Sequence, residues 1–246
     1  MNAKTLTAIE LTNISKRYVI HHEKPTLAEK FIKGREETFW ALKDITIAIH
    51  KGEKVGIIGL NGSGKTTLLK IIAGISSPTS GTIKTYGKVV SLIDLEAGFH
   101  DDLTGIENIF LNGMLLGMST QEIKAKLKKI IAFANIGRFV DVPLFTYSQG
   151  MKLRLGFSVA IHADPDTLIL DEGLGAGDID FQKRAQDVIL NFFRQRKTIL
   201  VVTQLLYFIR KNCKRVILLD HGEKIIDGGL NIIKTYEQIS AKPANR

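Results

Sequence analysis

Gly59-Leu60-Asn61-Gly62-Ser63-Gly64-Lys65-Thr66-Thr67 decides how this chain folds. It fits G-x-x-x-x-G-K-[ST], a phosphate-binding loop. Val55 to Ile58 before it read as a short buried strand, and Leu68 to Ala73 after it read as a helix. Strand, glycine loop and helix is the context the motif requires. Glycines let backbone N–H groups turn inward without a Cβ clash, and those amides line a concave anion site. The following helix adds its positive N-terminal end. Gly59, Asn61, Gly62, Ser63, Gly64, Lys65, Thr66 and Thr67 are therefore the candidate phosphate contacts. Lys65 supplies a point charge to the outer phosphates, and the Thr66 hydroxyl suits Mg²⁺.

A second element completes that chemistry. Thr167-Leu168-Ile169-Leu170 reads as a buried strand ending in Asp171-Glu172. A carboxylate at the end of such a strand can hold Mg²⁺, and the next can polarise an attacking water. Position assigns Asp171 to the metal and Glu172 to the general base.

The bulk properties narrow the class. The chain has 246 residues, 44% of them hydrophobic, enough for one substantial α/β core with a subdomain. One cysteine, Cys213, excludes an internal disulfide framework and fits a reducing compartment. The N-terminus lacks the apolar core of a signal peptide, and no apolar run approaches the roughly 20 residues of a membrane helix. Work at a membrane would need another subunit to cross it. The net charge of +9 allows an acidic partner. The lysines are scattered and no basic stripe is interleaved with aromatics, which argues against nucleic acid. The histidines show no metal-ligand spacing.

Outward from the loop, the order of elements is legible. Residues 8–20 alternate as an early strand, 21–39 read as a loop with a short helical piece around Leu27, Phe31 and Ile32, and strand character returns from Ala41 to His50, where Ile45, Ile47 and Ile49 share a face. Strands follow at 82–84 and 88–93. Residues 103–146 lose strand signals; Ser119-Thr120-Gln121-Glu122 is a capping box opening a helix, and another helix covers 105–116. After Pro165 the sheet resumes, with strands at 167–170, 199–203 and 215–219, a hairpin through His221-Gly222-Glu223-Lys224 and a short helix at 230–239. The expected fold is α/β: a parallel phosphate-loop sheet, an N-terminal antiparallel β portion and an inserted helical subdomain. Residues 1–99 and 164–246 make the core, and 100–163 the helical part, all in one domain.

Tyr147-Ser148-Gln149-Gly150-Met151, opening a helix shortly before the Asp171-Glu172 strand, resembles the Leu-Ser-Gly-Gly-Gln signature of ABC-type ATPases. Tyr147, Gln149 and Met151 depart from that pattern, whereas Ser148 and Gly150 keep it. The resemblance covers nearly the whole chain. It implies that Tyr18 stacks on adenine, that Asp178 in Gly175-Ala176-Gly177-Asp178 faces a second copy, and that Ser148, Gln149 and Gly150 complete the ATP site of that second copy. Where the family carries a glutamine linking sheet to helices, this chain has Asp94, a coupling-loop residue and further candidate Mg²⁺ ligand. Val90 to His100, Phe39 to Asp44 and residues 147–158 look like one subgroup, the ATPases of O-antigen, capsule and teichoic acid exporters. Several of those add a carbohydrate-binding β-sandwich, for which this chain ends too early.

The resemblance thus implies a homodimeric, Mg²⁺-dependent ATPase on the cytoplasmic face of the inner membrane. It would drive two copies of an integral membrane permease that exports a lipid-linked polysaccharide, O-antigen of lipopolysaccharide first among them, with no nucleic-acid partner. One departure touches the chemistry. Where the family carries a histidine after the 199–203 strand, this chain has Gln204, which donates a hydrogen bond but cannot become imidazolium. Hydrolysis is expected to be weakened while ATP binding is kept. Two rival readings follow: an ABC-type ATPase acting on nucleic acid or the ribosome, which strongly salt-dependent nucleic-acid binding would reveal, and a regulatory ATP-binding module that scarcely hydrolyses.

Overall fold

The computed structural model of the chain describes residues 6–21, 36–171 and 178–240. Its centre is a six-stranded sheet. In spatial order the strands are β5 (Val89–Ser91), β6 (Thr167–Leu170), β7 (Thr198–Val202), β3 (Lys54–Ile58), β8 (Arg215–Asp220) and β9 (Glu223–Gly228). All neighbours run parallel except β9, which returns antiparallel on β8.

The central strands are unbroken Val, Ile and Leu runs because both faces are covered. On β7, Ile199 and Val201 enter one core while Leu200 and Val202 enter the other. On β8, Val216 and Leu218 are divided from Ile217 and Leu219 in the same way. Helix α1 (Lys65–Ile72) covers the second face with Leu68, Leu69, Ile71 and Ile72. A three-stranded antiparallel sheet lies over the same core, in the order β2 (Glu36–His50), β1 (Thr7–His21) and β4 (Ser80–Thr85).

Strand β2 corrects the sequence reading. It begins at Glu36 rather than Ala41, and residues 36–39, expected in a loop, pair with β1 through Val19 opposite Thr38 and Tyr18 opposite Phe39. The β-branched and aromatic residues Thr38, Phe39 and Trp40 fit a pleated surface, and cross-strand partners outweigh the polar look of the segment. The helical piece expected around Leu27, Phe31 and Ile32 lies outside the described residues.

The first face is covered by α2 (Gly105–Leu115), α3 (Thr120–Ala134), α4 (Gln149–His162) and α5 (Ile179–Arg194). Ser119 and Glu122 form the expected capping box. Thr104 and Glu107 form a second, with the same T-x-x-E spacing, which the sequence reading passed over. Each such cap contributes about 1 kcal/mol. Ile109, Ile123, Ile130, Leu155 and Phe157 of these helices share one continuous core with Val90, Leu168 and Leu170 of the sheet. Helix α5 buries Phe181, Ala185, Ile189 and Phe192, a stripe at helical spacing. Helices α6 (Leu206–Asn212) and α7 (Ile232–Ser240) close the chain's described part.

Phe157 is the pivot of this core. It is fully buried, lies 5.9 Å from the Phe133 ring of α3 and meets the Phe181 ring of α5 edge-on at 5.5 Å. Phe157→Ala is expected to destabilise the chain by about 3–5 kcal/mol, read as a lower urea midpoint with unchanged slope. A loss below about 1 kcal/mol would show that the three helices do not depend on this contact.

Candidate functional site

The phosphate loop, residues 59–64, leaves β3 at the C-terminal edge of the parallel sheet and is wedged on two sides. A Cβ on Gly59 (φ 155°) would lie 2.2 Å from the Leu219 carbonyl oxygen of β8. One on Gly64 (φ 99°) would lie 2.5 Å from the Ala41 carbonyl oxygen of β2. Both positions therefore require glycine, for conformation and for space. The β8–β9 turn braces the loop: Gly222 N–H donates to the Ser63 carbonyl at 3.2 Å, and Lys43 N–H donates to the Gly222 carbonyl at 2.8 Å.

Gly64 precedes the first turn of α1, and no side chain caps that turn. Its leading N–H groups are thus available to an anion. The Lys65 ammonium donates to the Gly59 and Leu60 carbonyls at 2.9 and 2.8 Å. It is held over the loop by acceptors that phosphate oxygens can replace.

A cavity of about 400 Å³ opens here, lined by Asn61, Gly62, Gly64, Lys65, Thr66, Thr67 and Asp171 together with Phe39, Ala41 and Val202. Asp171 directly follows β6, two strands from β3, yet lines the same cavity as the loop. The Thr66 hydroxyl and the Asp171 carboxylate, both from residues lining this cavity, are hard-oxygen groups of the kind that suits Mg²⁺. Among the described residues no group of three or more His, Cys, Asp or Glu side chains clusters as a metal site. Glu172 lies outside the described residues. Gln204 follows β7, the strand between β3 and β6, so its position falls between the loop and Asp171. It is exposed, and the Gln204 carbonyl accepts the Leu206 N–H at 2.9 Å.

Phe39 lines the cavity and was missed, because its stretch read as loop. Tyr18 does not line it. Tyr18 sits directly across the β1–β2 ladder from Phe39, 41% exposed, with the Lys16 ammonium 5.1 Å above its ring. Direct cross-strand partners share a face, so the two aromatics lie side by side.

The Ser148 segment sits apart from its own loop's cavity. Ser148 caps α4, its hydroxyl oxygen accepting the Met151 N–H at 3.3 Å, which leaves the O–H free to donate outward. Ser148 and Gln149 are exposed, and a Cβ on Gly150 would meet nothing within 4 Å. Behind them Tyr147 is buried, and its hydroxyl donates to the Phe139 carbonyl. Burial, aided by Asp141, pushes that phenol up to about 12. Asp178 caps α5 through the Phe181 N–H at 2.8 Å and pairs with Arg154 of α4 at 3.1 Å. The Phe181 N–H bond, with Arg154 second among the favourable contacts, holds its carboxyl below the usual range.

Asp94 is exposed and outside the cavity, on the segment that leaves β5. That segment is bound to the helical layer. The Asn108 amide of α2 donates to the His100, Leu103 and Thr104 carbonyls at 3.0, 2.9 and 3.0 Å, and Asn112 donates to Ala97 at 3.0 Å. Gly156 of α4 packs so closely on Leu95 that a Cβ there would lie 2.1 Å from its carbonyl oxygen. Gln149 donates to the Glu96 carboxylate and Lys152 pairs with Asp101, linking the segment to the first turns of α4. Neither Glu96 nor the two buried asparagines stood out in the sequence. The asparagines carry one signal, polar residues four apart on the inward face of a helix, and Glu96 carries none.

Residues 42–175 match the ABC transporter domain family. The chain is 50% identical over 198 residues to the O-antigen export system ATP-binding protein RfbB of Myxococcus xanthus, covering 78% of this chain and 45% of that protein. It is 38% identical over 244 residues to the Klebsiella pneumoniae protein of the same description, covering 95% and 98%. In fold it is similar to the ATP-binding cassette MJ0796, solved as a dimer in a post-hydrolysis state bound to ADP and Pi (TM-score 0.67, 23% identity, 90% and 98% covered).

Proposed function

The chain belongs to the ABC transporter family, and from that premise we propose that it is the ATP-hydrolysing subunit of an exporter of lipid-linked polysaccharide, O-antigen foremost. One observation carries the ATPase reading: loop, Lys65, Thr66 and Asp171 open onto one cavity, with the Gln204 strand between them. The export reading is supported by the two relatives and by the near-complete overlap with the Klebsiella protein.

In this proposal the loop amides and the N-terminal turn of α1 hold the triphosphate of ATP. Lys65 exchanges the Gly59 and Leu60 carbonyls for phosphate oxygens. Tyr18, beside Phe39 on one face of the β1–β2 ladder, stacks on the base. Thr66 and Asp171 would hold Mg²⁺, which would supply positive charge against the outer phosphates, whereas Asp94, expected as a further ligand, lies outside that cavity. Glu172 accepts a proton from the attacking water, and Gln204 offers an amide donor. The Ser148 hydroxyl, Gln149 and Gly150 serve the site of a second copy, a role supported by their exposure, the space around Gly150 and their separation from their own loop. Asp178 lies beside that contact.

No described helix is long and apolar enough to cross a membrane, so two permease copies would supply the path. The chain would sit peripherally on the cytoplasmic face of the inner membrane. The 100–163 helical unit and the Asp94 segment would contact the permease, and nucleic acid would have no part.

Deleting the chain in its host is expected to remove the polymer from the cell surface and accumulate it inside on its lipid carrier. The wild-type chain should restore export and Asp171→Asn should not. Unchanged surface polymer after deletion would overturn the export reading.

A further inference from the structure

A second cavity, of about 340 Å³, opens at the opposite edge of the parallel sheet, where β6 and β7 begin. It is lined by Lys51, Tyr86, Asp166, Thr167, Arg196 and Lys197 among others. It lies a strand's length, roughly 13 Å, from Asp171 at the far end of β6.

Three features of this cavity belong together. Two of its cations, Lys51 and Arg196, have no ion-pair or side-chain hydrogen-bond partner among the described residues. The other charged groups are engaged: Lys197 pairs with Asp164 at 2.7 Å, and the Asp166 carboxylate accepts the Lys88 N–H at 2.8 Å. Thr167 is fully buried at the cavity wall, and its Oγ1 has no hydrogen-bond partner. An unpaired buried hydroxyl is costly, and a bound acceptor would relieve that cost.

The frame is rigid. Gly52 N–H donates to the Thr198 hydroxyl at 3.0 Å, Lys54 donates to the Gln195 carbonyl at 2.8 Å, and Lys51 and Tyr86 N–H groups bond to Leu6 and Ala8 carbonyls.

We propose that this cavity is a second anion site, taking the phosphate group of a small soluble metabolite against Lys51 and Arg196, with Thr167 donating its hydroxyl. A concave, walled site with two available cations matches a phosphate and its ester oxygens. The ligand is a phosphate monoester or diphosphate, and the site is separate from the nucleotide cavity.

Inorganic pyrophosphate is the probe, titrated calorimetrically into the full chain with the nucleotide cavity saturated by a non-hydrolysable ATP analogue and Mg²⁺. One further saturable event per chain is expected, and also in a Lys65→Ala background, so the outcome does not depend on the ATPase reading. Lys51→Ala with Arg196→Ala should weaken it by on the order of tenfold to a hundredfold, as for lost charged hydrogen bonds. Thr167→Val should weaken it by about threefold to tenfold while leaving the fold as stable or more so, because it removes an unpaired buried hydroxyl. Absence of the event, or equal binding by the double variant, would overturn the site. Phosphatidylglycerol vesicles test the other source of the same chemistry. Vesicle retention abolished by the double variant, with no heat from pyrophosphate, would overturn the soluble ligand in favour of a lipid headgroup.

Discussion

Lys65→Ala is expected to lower ATP turnover by on the order of 10²–10³-fold or more, since one preorganised donor aimed at developing charge is worth that much and this one carries a full charge. The argument rests on where the ammonium is held. It lies over the loop on the Gly59 and Leu60 carbonyls, at the mouth of the cavity that also contains Thr66 and Asp171. Alanine leaves those carbonyls in reach of water and leaves the core of α1 untouched, so folding stability should change by no more than about 0.5 kcal/mol. Steady-state ATP hydrolysis and the affinity for a fluorescent ATP analogue are the measurements, with thermal unfolding as the control. Unchanged affinity and turnover in a folded variant would sink the assignment of this cavity to ATP.

Gln204→His should act in the opposite direction, raising turnover by on the order of 10²–10³-fold while leaving ATP affinity within a few fold. Position 204 follows β7, between the strand that launches the phosphate loop and the strand that leads into Asp171. In the proposed mechanism a side chain there would meet the outer phosphate and the water beside it. A carboxamide can donate one neutral hydrogen bond toward that charge; an imidazole can also become cationic. The histidine variant should therefore gain a pH dependence near the ordinary imidazole range, about 6.5, which the wild-type chain lacks at this position. Equal turnover and equal pH profiles in the two chains would mean that Gln204 does not limit the chemistry. Its exposed position predicts little change in stability in either case.

Much of the fold was legible because its signals are local. A glycine loop between an apolar strand and a helix, a Ser-x-x-Glu box and runs of Val, Ile and Leu all act over a few residues, where backbone conformation and burial are set. The same logic fails where a partner is distant. Residues 36–39 read as loop on their own and are strand only beside β1, and Phe39 enters the candidate site through that pairing. Glu172, which the sequence assigns as the base, lies outside the described residues and rests on its place after Asp171.

What the sequence alone determined was the inventory: a phosphate loop, a strand ending in Asp171, a Ser148 cap on a helix and a glutamine at 204. The tertiary structure alone decided their arrangement. It placed β7 between β3 and β6, so that Asp171 and the loop share a cavity with residue 204 between them, and it kept Ser148 to Gly150 away from that cavity. It also tied Glu96 to Gln149 and buried Asn108 and Asn112 against the segment after Asp94. The reason is physical. Strand order and loop docking are chosen by the burial of two whole sheet faces and by hydrogen bonds between residues far apart in the chain, and no short stretch of sequence carries either.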